Sequence, residues 1–493
     1  MVNTLFLCFS TLTLVFLFGC NPQPQGEQLA KQYCGSCHAF PDPSLLDKAT
    51  WKESVLPEMA FRMGLNSERL FKIPYQDLDA VLTTLPASPL VTEEEYKLIE
   101  AYFIKNAPDS LATPEKYQRG AIAQFSFISK SLPFYDKPFV TALTIDTAGK
   151  RIYMGDRFSV LYQLDLNFNL KEYTQLKSPP SKILIENDTT ILVSLIGNMS
   201  PNEQKGGALV EINTKFTQGT GLIDSLQRPS HFEKADFNGD RVDDVVVCAF
   251  GNYTGGLLVY ERRGAKFIKH IISSTPGARR VVLKDVDEDG LQDILVLMTQ
   301  GNERISLFLN KGNFTFEEKV LLQFPPVYGS SYFDIADFNN DGQFDILYTN
   351  GDNADYSLIL KPYHSVKIFL NSGDLKFKEY WSYPMYGASQ ALARDFDKDG
   401  DLDIAAISFF PDFENSPEES FMYFENQGDN SFVSQLSKKA TVGRWMVMEA
   451  GDYDQDGDCD IFLGAHNLQM KEHLEVEGDN NPVAILVLKN NLK

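Results

Sequence analysis

Cys34-Gly35-Ser36-Cys37-His38 sets two thiols one helical turn apart, with an imidazole directly after the second. Thiols at this spacing add to the two vinyl groups of a haem, and the adjacent His reaches the iron. A thioredoxin-like redox pair needs a βαβ setting and a four-ligand zinc site needs two more Cys or His nearby; neither is present. Cys34 and Cys37 are therefore the expected haem c attachment points, one haem per chain, with His38 as an axial ligand. No further His occurs before His231, which leaves Met59 and Met63 in WKESVLPEMAFRMGL as sulfur donors one helical turn apart. Met59 is preferred, with Met63 as the alternative, because Met59 follows Pro57 at an expected loop–helix junction.

These residues need helices to position them. GEQLAKQY reads as the helix that carries the motif, and Thr92 with Glu95 three residues on reads as a capping box opening a final helix. That helix puts Tyr96, Ile99 and Phe103 on one face, and Ala107-Pro108-Asp109-Ser110 ends it. The segment from Gly26 to about Pro108 resembles a small monohaem cytochrome c. The resemblance implies an all-α domain over 27–108, a Met axial ligand carried over to Met59, and a raised potential.

The second chemical signal is a repeat. Asp-x-(Asp/Asn)-x-Asp-Gly-x-x-Asp recurs with side-chain oxygens at positions one, three, five and nine: Asp285, Asp287, Asp289, Asp293; Asp337, Asn339, Asp341, Asp345; Asp395, Asp397, Asp399, Asp403; and Asp452, Asp454, Asp456, Asp460. A variant, Asp236, Asn238, Asp240 and Asp244, carries Arg241 in place of the tight-turn Gly and is expected to bind more weakly. Hard oxygen ligands in a flexible loop suit Ca²⁺, four to five ions in all, and the flanking strands exclude an EF-hand. The loops resemble FG-GAP/VCBS-type repeats of integrin-like propellers from Phe232 onward, which implies a binding scaffold.

Each unit reads as an apolar strand into the acidic loop, a β-branched strand, and a hairpin such as SLFLNKGNFTFEE. Four strands per unit make a propeller blade. The last unit lacks its outer strand, so AIAQFSFIS (Ala121 to Ser129) is expected to close the ring. Two weaker units before Asp236 bring the expectation to seven blades, with six as the alternative. The organisation is thus multidomain: all-α cytochrome c-like, a linker over 109–119, and an all-β propeller over 120–493.

An apolar run from Leu5 to Phe18 ending in Leu17-Phe18-Gly19-Cys20 resembles a bacterial lipoprotein signal over 1–19, with Cys20 lipidated and a polar tether over 20–26. Export to the cell envelope, on the periplasmic or outer-membrane face, and a lipid anchor in the membrane follow as expectations. A net charge of −22 excludes nucleic acid as a partner and disfavours docking on anionic lipid. Cys248 and Cys459 fall in different units, so no disulfide framework is implied.

Connections on the face opposite the acidic loops bring Arg228, His231, Arg279, Arg280, His364, Arg444, Trp445 and His466 toward the channel mouth, with Tyr328 and Tyr386 nearby. They suggest an anionic or sugar-like ligand, or else structural pairing with carboxylates. Asp352, Asp355 and His364 could supply a general base. The expected function is electron transfer by an anchored c-type cytochrome whose propeller binds a redox partner protein or an envelope ligand. The alternative is an oxidoreductase whose propeller binds a substrate or organic cofactor and feeds its own haem.

Overall fold

The computed structural model describes residues 25–467 and 482–492, except 116, 135–137, 218, 355–356 and 429. The expected signal segment 1–19, the lipidation site Cys20 and most of the tether lie outside these residues, as does Asp355. Gln25 and Gly26, read as tether, begin the first helix, Gln25–Cys34.

Seven antiparallel four-strand sheets follow the helical segment, which excludes a six-blade ring. The first runs Val140–Asp146, Arg151–Asp156, Val160–Asp165 and Leu170–Gln175, and the next five are built from consecutive strands in the same way. The seventh has Trp445–Gly451, Asp460–Ala465 and Ile485–Asn490, and its outer strand is Phe125–Lys130, paired antiparallel from Phe125↔Asn490 to Lys130↔Ile485. The closing strand is thus where the sequence placed it, with one difference. Gly120–Ala121 runs instead parallel to Gln435 and Leu436, the outer edge of the sixth blade, so one segment caps two blades.

Burial follows the ring. Seven apolar clusters each join two neighbouring blades, from Tyr153 with Ile183 between the first and second to Phe462 with Val140 between the seventh and first. Hydroxyls near the start of four inner strands tie a blade to the next: Thr141 Oγ1 donates to Pro180 O at 2.7 Å, Ser181 Oγ to Pro229 O at 2.5 Å, Ser230 Oγ to Arg279 O at 2.9 Å, and Ser331 Oγ to Ala388 O at 2.7 Å. The second strands of blades three to seven are buried along their whole length, which explains their apolar runs such as residues 245–247 and 294–298.

The helical segment is packed onto the propeller. Trp51, Ile99 and Phe103 form its core, and that core includes Val327, which precedes the fifth blade. The capping box at Thr92 and Glu95 is present on the last helix, Glu93–Asn106. A Cβ at Gly26 would come within 2.4 Å of Leu98 O, so this glycine lets the first and last helices touch. The expected linker is pinned as well: Arg119 pairs with Glu419 and donates to Tyr383 Oη at 2.9 Å, and Tyr117 packs tilted against the same ring at 5.2 Å.

Candidate functional site

Cys34 ends the first helix, and Gly35-Ser36-Cys37 turns the chain back, with Ser36 Oγ donating to Tyr33 O at 2.7 Å. A side chain at 35 would meet Lys31 O at 2.6 Å, which accounts for Gly there. Burial pushes the Cys34 thiol up to about 11, while Cys37 is exposed. His38 Nδ1 lies 2.9 Å from Ala39 O and so carries the ring proton; Nε2 keeps its lone pair. Burial, then the nearby Arg62 charge, lowers its pKa and favours this neutral form.

These three residues line a cavity of ≈ 410 Å³ together with Met59 and Met63. The size and the apolar lining from Trp51, Val55, Leu56 and Phe103 suit a large flat cofactor. Donors for two thioether bonds, one imidazole and one thioether sulfur thus converge on one space, and the residues fit haem c.

The reason for preferring Met59 does not hold. Pro57 cannot donate to the carbonyl four residues back, and its ring crowds that carbonyl, so the preceding turn widens: Trp51–Val55 is π-helical, with Leu56 N bonded to Trp51 O. The helix runs through Pro57 without a loop and ends at Arg62, so Met59 is mid-helix and Met63 is the C-cap residue. Both sulfurs remain candidates.

The acidic loops share one construction. Position one accepts the position-six N–H in all five loops: from Gly290 at 2.9 Å, Gly342 at 2.8 Å, Gly400 at 3.2 Å, Gly457 at 3.1 Å and Arg241 at 2.6 Å. Position six is left-handed throughout, Arg241 included at φ 68°. Open space surrounds the equivalent glycines, so Arg241 meets only the conformational cost of a Cβ, and its loop closes like the others.

Carboxylate oxygens of Asp285, Asp287 and Asp289, of Asp395, Asp397 and Asp399, and of Asp452, Asp454 and Asp460 come within 4.8 Å of one another. Like charges so close attract a cation, and two lysines answer. Lys489 Nζ pairs with Asp454 and lies 3.4 Å from Asp456, and Lys311 Nζ lies 3.2 Å from Asp287.

Position nine has a second duty that the ligand pattern did not show. Asp345 is fully buried and accepts from Phe338 N at 2.9 Å and Asn371 N at 2.8 Å, tying the loop to the third strand. Asp244, Asp293, Asp403 and Asp460 repeat this with Phe237 and Arg262, Val286 and Asn310, Phe396 and Asn426, and Tyr453 and Asn490. Two further regularities of the sequence mark the same construction. Loop position two is aromatic and buried in four loops, and the hairpin Asn reaches the preceding blade: Asn310 Nδ2 donates to Phe237 O and Asn490 Nδ2 to Phe396 O.

The residues expected at the channel mouth do not form a ligand-presenting face. Trp445, His364, His466, Arg444, His231 and Arg228 are all buried. The Arg444 guanidinium is enclosed by Phe409 at 3.8 Å and Phe410 at 4.8 Å and donates to Phe409 O. Arg228 lies over Phe250, and Arg279 pairs with Asp352 at 3.0 Å, which occupies the carboxylate expected as a general base. Burial drives the His364 and His466 pKa values down, so neither serves as a surface base. Arg280 and His231 come from inner strands of neighbouring blades, and Arg280 Nη1 and Lys182 Nζ both lie 3.1 Å from His231 Nε2. These cations are consumed by the fold because buried charge needs a partner.

A model of the FG-GAP-like repeat matches residues 236–296, 285–348 and 395–463, the blades that carry the acidic loops. The solved Dos1 propeller is similar to 74% of this chain and 83% of its own, at 12% identity and a TM-score of 0.42. No curated protein sequence matches the chain. The chain thus carries FG-GAP-like repeats on a seven-bladed β-propeller.

Proposed function

We propose that this is an exported, lipid-anchored c-type cytochrome in which the helical segment carries out electron transfer and the propeller, held rigid by Ca²⁺, is the binding module. One observation carries the reading: Cys34, Cys37 and His38 share a single cavity with Met59 and Met63. A haem held there supplies one-electron redox chemistry. The chain's own residues attach it through Cys34 and Cys37, orient the His38 ring through Ala39 O, and exclude water with Trp51, Leu56 and Phe103. The acidic loops support Ca²⁺, and repeats of this kind on a propeller suggest a module that binds a partner rather than one that reacts. The lipoprotein-like N-terminus supports the envelope location.

A second reading, a substrate-oxidising enzyme, draws on a cavity of ≈ 450 Å³ at the ion-loop end of the channel, lined by Thr144, Glu449 and Asp452. The oxidised protein, followed by visible spectrum, separates the two. Rapid exchange with a partner cytochrome and no reduction by pools of sugars, alcohols or organic acids supports the carrier. Reduction by such a pool overturns it in favour of the enzyme.

A further inference from the structure

The helical and propeller sides of the ≈ 410 Å³ cavity differ in chemistry. The helices contribute chiefly apolar surface, including Trp51, Leu56 and Phe103, whereas the propeller adds, beside the apolar Pro276, Pro326 and Val327, a polar stretch from the loops of blade four: Thr275, Gln300, Gly301 and Asn302. Asn302 Oδ1 accepts from Gln323, which leaves its amide N–H groups as donors. At the seam stands Arg62, held by Asn252 O at 3.3 Å and by Glu58 at 2.9 Å. Arg69 also engages Glu58, so two guanidinium groups share one carboxylate and a net positive charge remains.

Among the described residues no Asp or Glu lines this cavity, in a chain of net charge −22. The neighbouring Glu303 is turned away, accepting from the backbone N–H of Gly329 and Ser330. The surface therefore complements an amphiphile with a flat apolar body and carboxylates at one edge. We infer that the propeller provides the carboxylate-binding wall of the cavity, so that a haem attached at Cys34 and Cys37 directs its propionates toward Arg62, Gln300 and Asn302 of the seam. This rests on the function proposed above and makes the propeller part of the cofactor site.

The test is spectroelectrochemistry on the full-length, haem-loaded chain. A negative charge beside the cofactor stabilises the ferric state, so Gln300→Glu and Asn302→Asp lower the midpoint potential while Gln300→Lys raises it. Val433→Glu, on an exposed outer strand of blade six, is the equal-charge control and leaves it unchanged. Opposite shifts from Glu and Lys at one position exclude a general loss of folding as the cause. Unshifted potentials, or a shift from Val433→Glu of equal size, overturn the inference. Wild-type protein without covalent haem overturns instead the reading on which it rests.

Discussion

The ring of Tyr253, on a propeller loop, lies 4.1 Å from the guanidinium carbon of Arg62 on the helical segment. Its hydroxyl donates to Glu58 Oε1 at 2.8 Å, and its edge meets Phe61 at 6.5 Å. Asp77 adds a bond from Glu203 N at 3.1 Å. The two units are therefore docked rather than strung on a flexible tether. Tyr253→Ala removes a cation–π pair, an aromatic contact and one of three partners of a buried carboxylate, a loss of about 2–4 kcal/mol in docking. Calorimetry should show the helical segment melting ahead of the propeller in this variant; an unchanged single transition would refute the coupling.

Ring closure depends on Phe125, which packs against Phe396 at 5.9 Å and Tyr423 at 5.3 Å where the first and last strands meet. Phe125→Ala should cost about 3–5 kcal/mol in denaturant unfolding. A change below about 1 kcal/mol would mean that the closing strand is dispensable.

Within one acidic loop the two kinds of aspartate separate by experiment. Asp341→Asn removes charge from an exposed position and should lower the melting temperature only when Ca²⁺ is present. Asp345→Ala strands two buried N–H groups and should cost about 2–5 kcal/mol with or without Ca²⁺. Identical behaviour of the two variants in chelator and in Ca²⁺ would contradict this division of labour.

His466 is buried between Phe139 and Phe409, and burial lowers its pKa to about 4. The unfolded chain titrates this group near 6.5. Below that value the unfolded state gains a proton that the folded state refuses, so stability falls as the pH drops from about 6.5 to 4, by up to about 3 kcal/mol. His466→Gln should flatten that part of the profile relative to wild type. An unaltered slope would show that the imidazole is not neutral in the fold.

The seven-blade ring and its closure were legible because alternating strands and a repeated loop leave few arrangements that bury all edges. The positions of Cys34, Cys37 and His38, the capping box at Thr92 and the buried face of Tyr96, Ile99 and Phe103 were legible for the same local reasons. What failed was long-range. Arg444 and His364 carry the side chains of a ligand site, but only the ring's curvature reveals that Phe409 and Phe410 enclose the first and that the second is inside the loop layer. Pro57 looked like a boundary because proline usually is one; a π-helical turn absorbed it. The docking of Val327 into the helical core left no trace in either segment alone.

Haem attachment is decided by the covalent state of Cys34 and Cys37. Mass spectrometry of the proteolytic peptide spanning Tyr33 to His38, from protein matured in a host that attaches haem c, should show one haem bound through both sulfurs. Free thiols or a disulfide at Cys34 and Cys37 in that material would contradict it.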